Sequence, residues 1–339
     1  MRGAIGTVLA VLRLLAGSLA FVATGRTPAM AYQSLIRLFM LTGGWSNDVA
    51  AKWLSVLHPP RPTRSASGVI GNLDSASLDR LGGQLRREGY ALFEKALPDD
   101  LCDRLLAFAL RQPAKVRASD AGPTPSAEEI IYDRANPRGI IYDFHPQVLV
   151  NQPDFQRLMS DASIIALAER YLGGKAVLDT VNLWWTAKQN TTPDSNAAQL
   201  WHFDMDRVRW VKFFMYLTDV TPESGPHCFV AGSHRTGGIP RRLLKRGYAR
   251  LPDADVQREY HADAIKHFVA PRGSIIAEDT RGLHKGLPVL HGDRLMLEFE
   301  FSNSLFGGNP AHEAKISTHR DAEFATFVRR NPRLFTRWL

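Results

Sequence analysis

The tightest constraint on how this chain can fold is a separation. His202-Phe203-Asp204 sets an imidazole and a carboxylate two residues apart, and His284 follows 82 residues later (284 minus 202). On an extended strand, residues two apart point to one face, so the first pair can grip one ion together. For His284 to join them the chain must leave and return, and the apolar strand-like runs in between suit a closed β structure. Two imidazoles and one carboxylate on one face of a metal leave the other positions open, the donor set that suits a redox-active iron(II).

Context has to choose the motif, because the chain has 11 histidines and His-x-Asp occurs four times. His291-Gly292-Asp293 reads as a turn entering the run Arg294 to Phe301. His261-Ala262-Asp263 lies in a polar stretch with too little chain before His284 to pass around a barrel. His319-Arg320-Asp321 follows the last apolar strand-like run and has no later histidine to pair with. His202, Asp204 and His284 are therefore the candidate metal ligands and catalytic centre. Arg294, ten residues after His284 (294 minus 284), opens the next alternating run, where a guanidinium can clamp a carboxylate bidentately. Arg281 and Lys285 are rivals for that role.

Five segments carry a wider pattern. They are Arg87 to Phe93 with Leu97-Pro98-Asp99-Asp100-Leu101, Gln199 to Asp204, Tyr216 to Pro226, Val230-Ala231-Gly232-Ser233-His234-Arg235, and His284 to Arg294. In these the chain resembles the phytanoyl-CoA dioxygenase-like family of iron(II)/2-oxoglutarate-dependent dioxygenases, over roughly residues 75 to 305. The resemblance implies iron(II) on His202, Asp204 and His284. It implies 2-oxoglutarate chelating that metal, with its distal carboxylate on Arg294. It implies O2 as oxidant, decarboxylation of 2-oxoglutarate to succinate, and hydroxylation of an aliphatic C–H. Halogenating relatives replace the carboxylate ligand, so Asp204 points to hydroxylation. Gln199 is a further candidate for holding 2-oxoglutarate, but strict alternation sets it on the face opposite His202, so a bend or bulge is needed. Many relatives carry Ser or Thr two positions after the distal histidine; Gly286 stands there, and Arg294 needs another partner, a tyrosine or threonine. His227 sits where the chain re-enters the barrel, as a turn residue or a substrate contact. His234 reads as a structural turn residue.

The order of elements agrees with that architecture. Helical patterns come first: a helix capped by Ser75 or Ser77 and running to about Arg87, one over Asp99 to Gln112, and one over Ile164 to Leu172 capped by Ser163. A first strand spans Gly89 to Leu97, and residues 113–128 read as a loop at the active-site mouth. From Val177 onward short strands alternate with Gly/Pro turns: Val177–Thr186, Arg209–Leu217, Cys228–Val230, Ile265–Val269, Ser274–Ala277 and Arg294–Phe301. The expected fold is mainly β with flanking α, a double-stranded β-helix (jelly-roll, cupin-like) with an N-terminal apolar helical extension. Its parts are an extension over 1–58, a linker over 59–74, a dioxygenase domain over 75–308 and a basic C-terminal tail over 309–339. Trp184-Trp185 sets one ring on each face of a strand, the inner one a candidate pocket wall.

Residues 4–24 are apolar around Arg13, with Arg2, Gly6, Arg13, Gly17 and Thr24 along one narrow helical stripe. That suits a helix lying in a membrane interface or docked on another apolar surface; a spanning anchor and a secretory signal are the rivals. The two cysteines, Cys102 and Cys228, make no disulfide framework, which suits a reducing cytoplasm. A net charge of +8, sharpest over Arg241 to Arg250, permits anionic partners. The expected substrate is a small molecule or lipid, an amphiphilic anionic metabolite in particular. Basic residues are not interleaved with aromatics as single-strand binders require, so no nucleic acid is expected. A non-catalytic jelly-roll binding protein and a nucleic-acid demethylase of the same metal chemistry are the alternatives.

Overall fold

The alternating runs form long strands whose two faces do different work. The computed structural model describes residues 2–117, 129–189, 192–310 and 312–339. It opens with three helices, α1 (Arg2–Thr24), α2 (Ala29–Thr42) and α3 (Trp45–Leu57). Next come β1 (Ser65–Gly68), β2 (Gly71–Asp74), α4 (Ser75–Glu88), β3 (Tyr90–Phe93), α5 (Asp99–Ala109), β4 (Pro113–Val116), β5 (Glu129–Ile131) and β6 (Ile141–Asp143). Helices α6 (Pro146–Leu149), α7 (Pro153–Met159) and α8 (Ala162–Leu172) precede β7 (Val177–Ala187), β8 (Trp210–Tyr216) and β9 (His227–Val230). The chain ends with α9 (Arg241–Leu244), α10 (Asp253–Gln257), β10 (Ile265–Phe268), β11 (Ile275–Glu278), β12 (His284–Gly286), β13 (Asp293–Ser302) and α11 (Ala322–Arg330).

Eight strands form one antiparallel sheet in the order β3-β11-β8-β13-β7-β6-β4-β5, and β10-β9-β12 form a second. Register fixes the faces. Leu297 lies opposite Leu183 and Met215, while Glu298 lies opposite Asn182 and Phe214. The odd-numbered residues Leu183, Trp185, Phe213, Leu295 and Phe299 share a core with Leu81 of α4, Leu105 of α5 and Leu167 of α8. The even-numbered residues turn inward, where Phe214, Tyr216 and Met296 meet Phe229 and Phe268 of the smaller sheet. Two sheets packed this way make the double-stranded β-helix. Trp185 is in the helix-side core and Trp184 lines the interior cavity.

Several boundaries differ from the sequence expectation. Asp74, not Ser75 or Ser77, caps α4 by accepting the Ser77 N–H, and Asp161, not Ser163, caps α8 by accepting from Ser163 and Ile164. Carboxylates one or two places upstream reach those orphan donors better than the hydroxyls inside the first turn. The stretch 59–74, expected to be linker, holds the β1-β2 hairpin, whose Ala66, Ile70 and Leu73 enter the main core. Of the expected loop, 113–116 is strand β4 paired with β5 and β6, and 118–128 lies outside the described residues. The segment expected as a tail carries Phe324, Phe335 and Trp338 into the main core, and the Trp338 indole donates to the Leu178 carbonyl at 2.8 Å.

The N-terminal helices are bound to the barrel. Phe39 of α2 stacks on Phe203, centroids 5.5 Å apart, and Asn47 of α3 donates to the Val208 carbonyl at 3.0 Å. Gly17 of α1 faces inward, where a Cβ would lie 2.2 Å from that of Ala31, so glycine permits the close approach of α2, while Arg13 and Thr24 of the same stripe are exposed. The opposite, apolar face of α1 is exposed.

Asp161 ties the hairpin to α8, since its carboxylate also accepts from the Val69 N–H at 2.9 Å. Replacing Asp161 with Ala is expected to destabilise the fold by about 1–2 kcal/mol. Denaturant unfolding reads this, and a loss under about 0.5 kcal/mol would mean that the cap and tether contribute little.

Candidate active site

The backbone itself brings the two histidines together. His202 N–H donates to the His284 carbonyl at 3.0 Å and His284 N–H donates to the His202 carbonyl at 2.8 Å. His202 lies outside the long strands, in an isolated bridge to His284, and Asp204 N–H donates to the Thr280 carbonyl at 2.8 Å. The rings stand 4.2 Å apart, and one ligand atom from each of His202, Asp204 and His284 falls within 4.8 Å of the others. Asp204 Oδ1 is 3.9 Å from His202 Nε2 and Oδ2 is 3.5 Å from His284 Nε2.

The far side of each ring fixes its proton. His202 Nδ1 donates to the Leu200 carbonyl at 2.9 Å and His284 Nδ1 to the Gly282 carbonyl at 3.0 Å. A carbonyl only accepts, so the proton sits on Nδ1 and both Nε2 lone pairs are free toward Asp204. Burial pushes the pKa of both rings below the ordinary value, reinforced at His202 by His284, so both are neutral ligands at neutral pH. Burial alone would raise the Asp204 carboxyl, but the Lys212 ammonium beside it holds it well below the usual range. The donor set is ready for a divalent ion.

Lys212 was not among the residues singled out from the sequence. Its ammonium lies 2.9 Å from Asp204, 3.2 Å from Asp206, 3.5 Å from Glu300 and 3.9 Å from Glu298. The available signal was alternation: Lys212 and Phe214 fall on one face of β8, and Lys212 lies opposite Glu278 and Glu300.

Among the three cations near His284, two are already paired. Arg281 is held by Asp279 at 2.6 Å and Asp48 at 3.1 Å, and Lys285 by Asp253 with its ammonium 5.1 Å from the Trp201 ring centre. Arg294 is buried and has no acidic partner among the described residues. Its guanidinium donates to the Gly225 carbonyl and to Thr186 Oγ1 at 3.4 Å, and Nε is without a partner among the described residues. A guanidinium so placed fits an organic anion. Thr186 lies directly opposite Arg294 in the sheet register, the threonine that the sequence left unassigned. Gly286 has its own reason: a Cβ there would stand 3.3 Å from Arg294 Nη2.

One cavity of about 780 Å³ holds the whole arrangement, with His202, Asp204, His284 and Arg294 in its wall. His227 also lines it, its Nε2 3.0 Å from Glu278 Oε1. Burial, with Arg294 adding to it, pushes His227 down to about 3, and burial pushes Glu278 up to about 8. Gln199 does not line the cavity. Its side chain turns away and accepts the Asp194 N–H at 2.9 Å, because Ala198, at φ 55, takes the chain out of strand geometry. His234 is buried with Nε2 3.3 Å from the Arg86 carbonyl, a structural contact. Two of the five cations in the basic run at 241–250 are paired, Arg242 with Glu259 and Arg246 with Asp255.

Comparison with known proteins agrees with this site. The family model described as phytanoyl-CoA dioxygenase matches residues 85–294, more than half of the chain. The chain belongs to the phytanoyl-CoA dioxygenase family. It is an iron(II)/2-oxoglutarate-dependent dioxygenase, with iron(II), 2-oxoglutarate and O2 as metal and co-substrates. Comparison with curated proteins finds no match. Among solved structures it is similar to the non-heme alpha ketoglutarate dependent epimerase SnoN from nogalamycin biosynthesis, at 20% identity and TM-score 0.48, covering 74% of this chain and 98% of that one. It is also similar to EvdO2 from Micromonospora carbonacea var. aurantiaca complexed with 2-oxoglutarate, at 19% identity and TM-score 0.46, covering 69% and 92%. HygX from Streptomyces hygroscopicus with nickel and 2-oxoglutarate bound matches at 17% identity and TM-score 0.45, covering 70% and 92%.

The buried Glu278 makes stability depend on pH. Its ordinary value is 4.5 and the folded value about 8, so between these the unfolded chain has lost a proton that the fold keeps. Stability from this group therefore falls as pH rises through that window. In Glu278→Gln this slope is absent, and the stability of the native metal-free chain relative to the variant is expected to fall from pH 5 to pH 8 (values about the window just given). Denaturant unfolding across that range checks it, and a pH-independent difference would contradict it.

Proposed function

We propose that the family chemistry here is hydroxylation of an aliphatic C–H, with His202, Asp204 and His284 holding iron(II) and Arg294 holding the distal carboxylate of 2-oxoglutarate. The carrying observation is that two free imidazole nitrogens and a carboxylate converge in the cavity that also contains a buried guanidinium without an acidic partner. Bound iron(II) with 2-oxoglutarate and O2 supplies the oxidising chemistry, with succinate and carbon dioxide as products. The protein supplies position and dryness. Leu200 and Gly282 carbonyls orient the rings, Thr186 and Gly225 aim the guanidinium, and Trp184, Phe214 and Met296 give the cavity an apolar wall against which an alkyl group rests. A carboxylate at 204 supports hydroxylation over halogenation.

Anaerobic addition of iron(II) and 2-oxoglutarate to the full chain is expected to give a visible charge-transfer band, lost in His284→Ala. Arg294→Ala is expected to raise the 2-oxoglutarate concentration needed for that band by at least roughly tenfold, since it removes a charge-assisted contact. A wild-type chain without the band, or an R294A chain with unchanged 2-oxoglutarate affinity, would sink this assignment.

We further propose that the N-terminal helices rest on a membrane surface. Leu19 and Val22 of α1 are 75% and 83% exposed and Trp53 of α3 is 68% exposed, beside the exposed cations Arg13 and Lys52. An apolar face edged by tryptophan and basic residues suits the headgroup region of an anionic bilayer. Vesicles containing anionic phospholipid are expected to co-sediment the full chain, and Leu12, Leu15 and Leu19 changed together to Glu should cut binding by roughly tenfold or more. Equal sedimentation of both chains would refute the surface.

A further inference from the structure

Beside the metal cavity lies a second chamber of about 500 Å³ that shares Asn182, Lys212, Glu298 and His312 with it. Its wall is acidic although the chain as a whole is basic. Asp206, Glu298 and Glu300 look to one ammonium, that of Lys212, which already sits 2.9 Å from Asp204. Of the chamber's other cations, Arg207 grips Asp179 with Nη2 at 2.7 Å, while Arg337 donates to the His312 carbonyl and its Nε is unmatched among the described residues.

Glu300 is the anomaly. It is 1% exposed, yet among the described residues neither of its carboxyl oxygens accepts a hydrogen bond. Glu298, two residues away on the same face, accepts from Thr180 at 3.2 Å and Asn182 at 3.1 Å. Buried carboxyl oxygens are normally matched with donors, and leaving them unmatched costs free energy. A guest bearing donors would remove that cost.

We propose that this chamber binds the ammonium group of an amine-bearing substrate, with Glu300 as its anchor and Asp206 and Glu298 as the surrounding carboxylates. The inference rests on the iron site proposed above, because Asn182, Lys212, Glu298 and His312 line both cavities and so set such a molecule next to the metal cavity. A primary ammonium offers three donors, which suits the unmatched Glu300 carboxyl with Asp206 and Glu298 beside it. Burial, with Asp206 adding to it, pushes the Glu300 pKa well above the usual range, and a cation beside it favours the charged form again. The substrate class that follows is an alkylamine rather than the anionic amphiphile that net charge alone suggests.

The test uses the full chain with iron(II) and 2-oxoglutarate under anaerobic conditions, titrated calorimetrically with hexylammonium and with hexan-1-ol. Hexylammonium is expected to bind about tenfold more tightly than the alcohol, the scale of a charged hydrogen-bonded contact. Glu300→Gln keeps the side-chain volume and should bring the two affinities together. Asp206→Asn, at a partly exposed position, should narrow the gap by a smaller factor and serves if E300Q fails to fold. Equal affinities in the wild-type chain, or a preference untouched by either variant, overturns the chamber. A wild-type chain that lacks the 2-oxoglutarate band but retains the amine preference overturns the metal site alone and leaves the chamber standing.

Discussion

Everything at this site depends on a two-residue backbone contact. The reciprocal hydrogen bonds between residues 202 and 284 fix how far apart the two imidazoles stand, and no side-chain packing could do this as tightly. Neighbouring contacts hold that pair in place. Trp201 exchanges hydrogen bonds with Leu251, Asp204 is anchored on Thr280, and the Thr280 hydroxyl accepts the Trp210 indole N–H at 2.8 Å. Because Nδ1 of each ring is spent on a carbonyl two residues back, ring rotation and tautomer are set together. Preorganisation of this kind lets neutral imidazoles wait for a metal without reorganising when it arrives.

The barrel interior then has to tolerate a large amount of buried charge. Asp204, Glu278, Glu298 and Glu300 all project inward from elements that the helices cover on the other side. One lysine among them cannot neutralise every carboxylate, and burial resolves the excess by raising the pKa of Glu278, Glu298 and Glu300. Asp204 stays ionised because the Lys212 ammonium, nearest to it, favours its charge over its neighbours'. The candidate metal-binding carboxylate is thus set apart by its partners, not by its degree of burial. Arg294, at the other end of the cavity, carries the opposite unmet charge, so the interior is polarised into acidic and cationic regions.

How much of this was legible in the sequence follows from which forces decide each feature. The convergence of His202, Asp204, His284 and Arg294 on one cavity was legible because two-residue spacing and a long return are imposed by strand geometry and topology, both of which leave marks in the chain. Thr186 was invisible and Lys212 was marked by alternation alone, because their partners are defined by register between strands that lie far apart in sequence. Once Arg294 is set opposite Thr186, the partner is obvious; before that, any threonine would serve. Gln199 misled for a local reason, since the positive φ of Ala198 ends the alternation on which its assignment depended. The caps were displaced by one or two residues because serine and aspartate compete for the same donors and only the folded turn decides. The hairpin in the presumed linker escaped because its few apolar residues find their partners on α8, a long way down the chain.

The N-terminal extension shows why family boundaries and physical boundaries need not coincide. The matched region begins at residue 85, yet α2 and α3 reach the metal-ligand loop directly. Phe39 stacks on Phe203, which lies between the two ligands of the His-x-Asp pair. Asp48 of α3 pairs with Arg209 and with Arg281, three residues before His284, so one carboxylate bridges chain segments on both sides of the site. Tyr32 of α2 stands in the wall of the acidic chamber. The helices that present an apolar face outward therefore also brace the loop that holds His202 and Asp204. The outer face is linked to the candidate site by non-covalent contacts, through Phe39 of α2 to Phe203 and through Asp48 of α3 to Arg281.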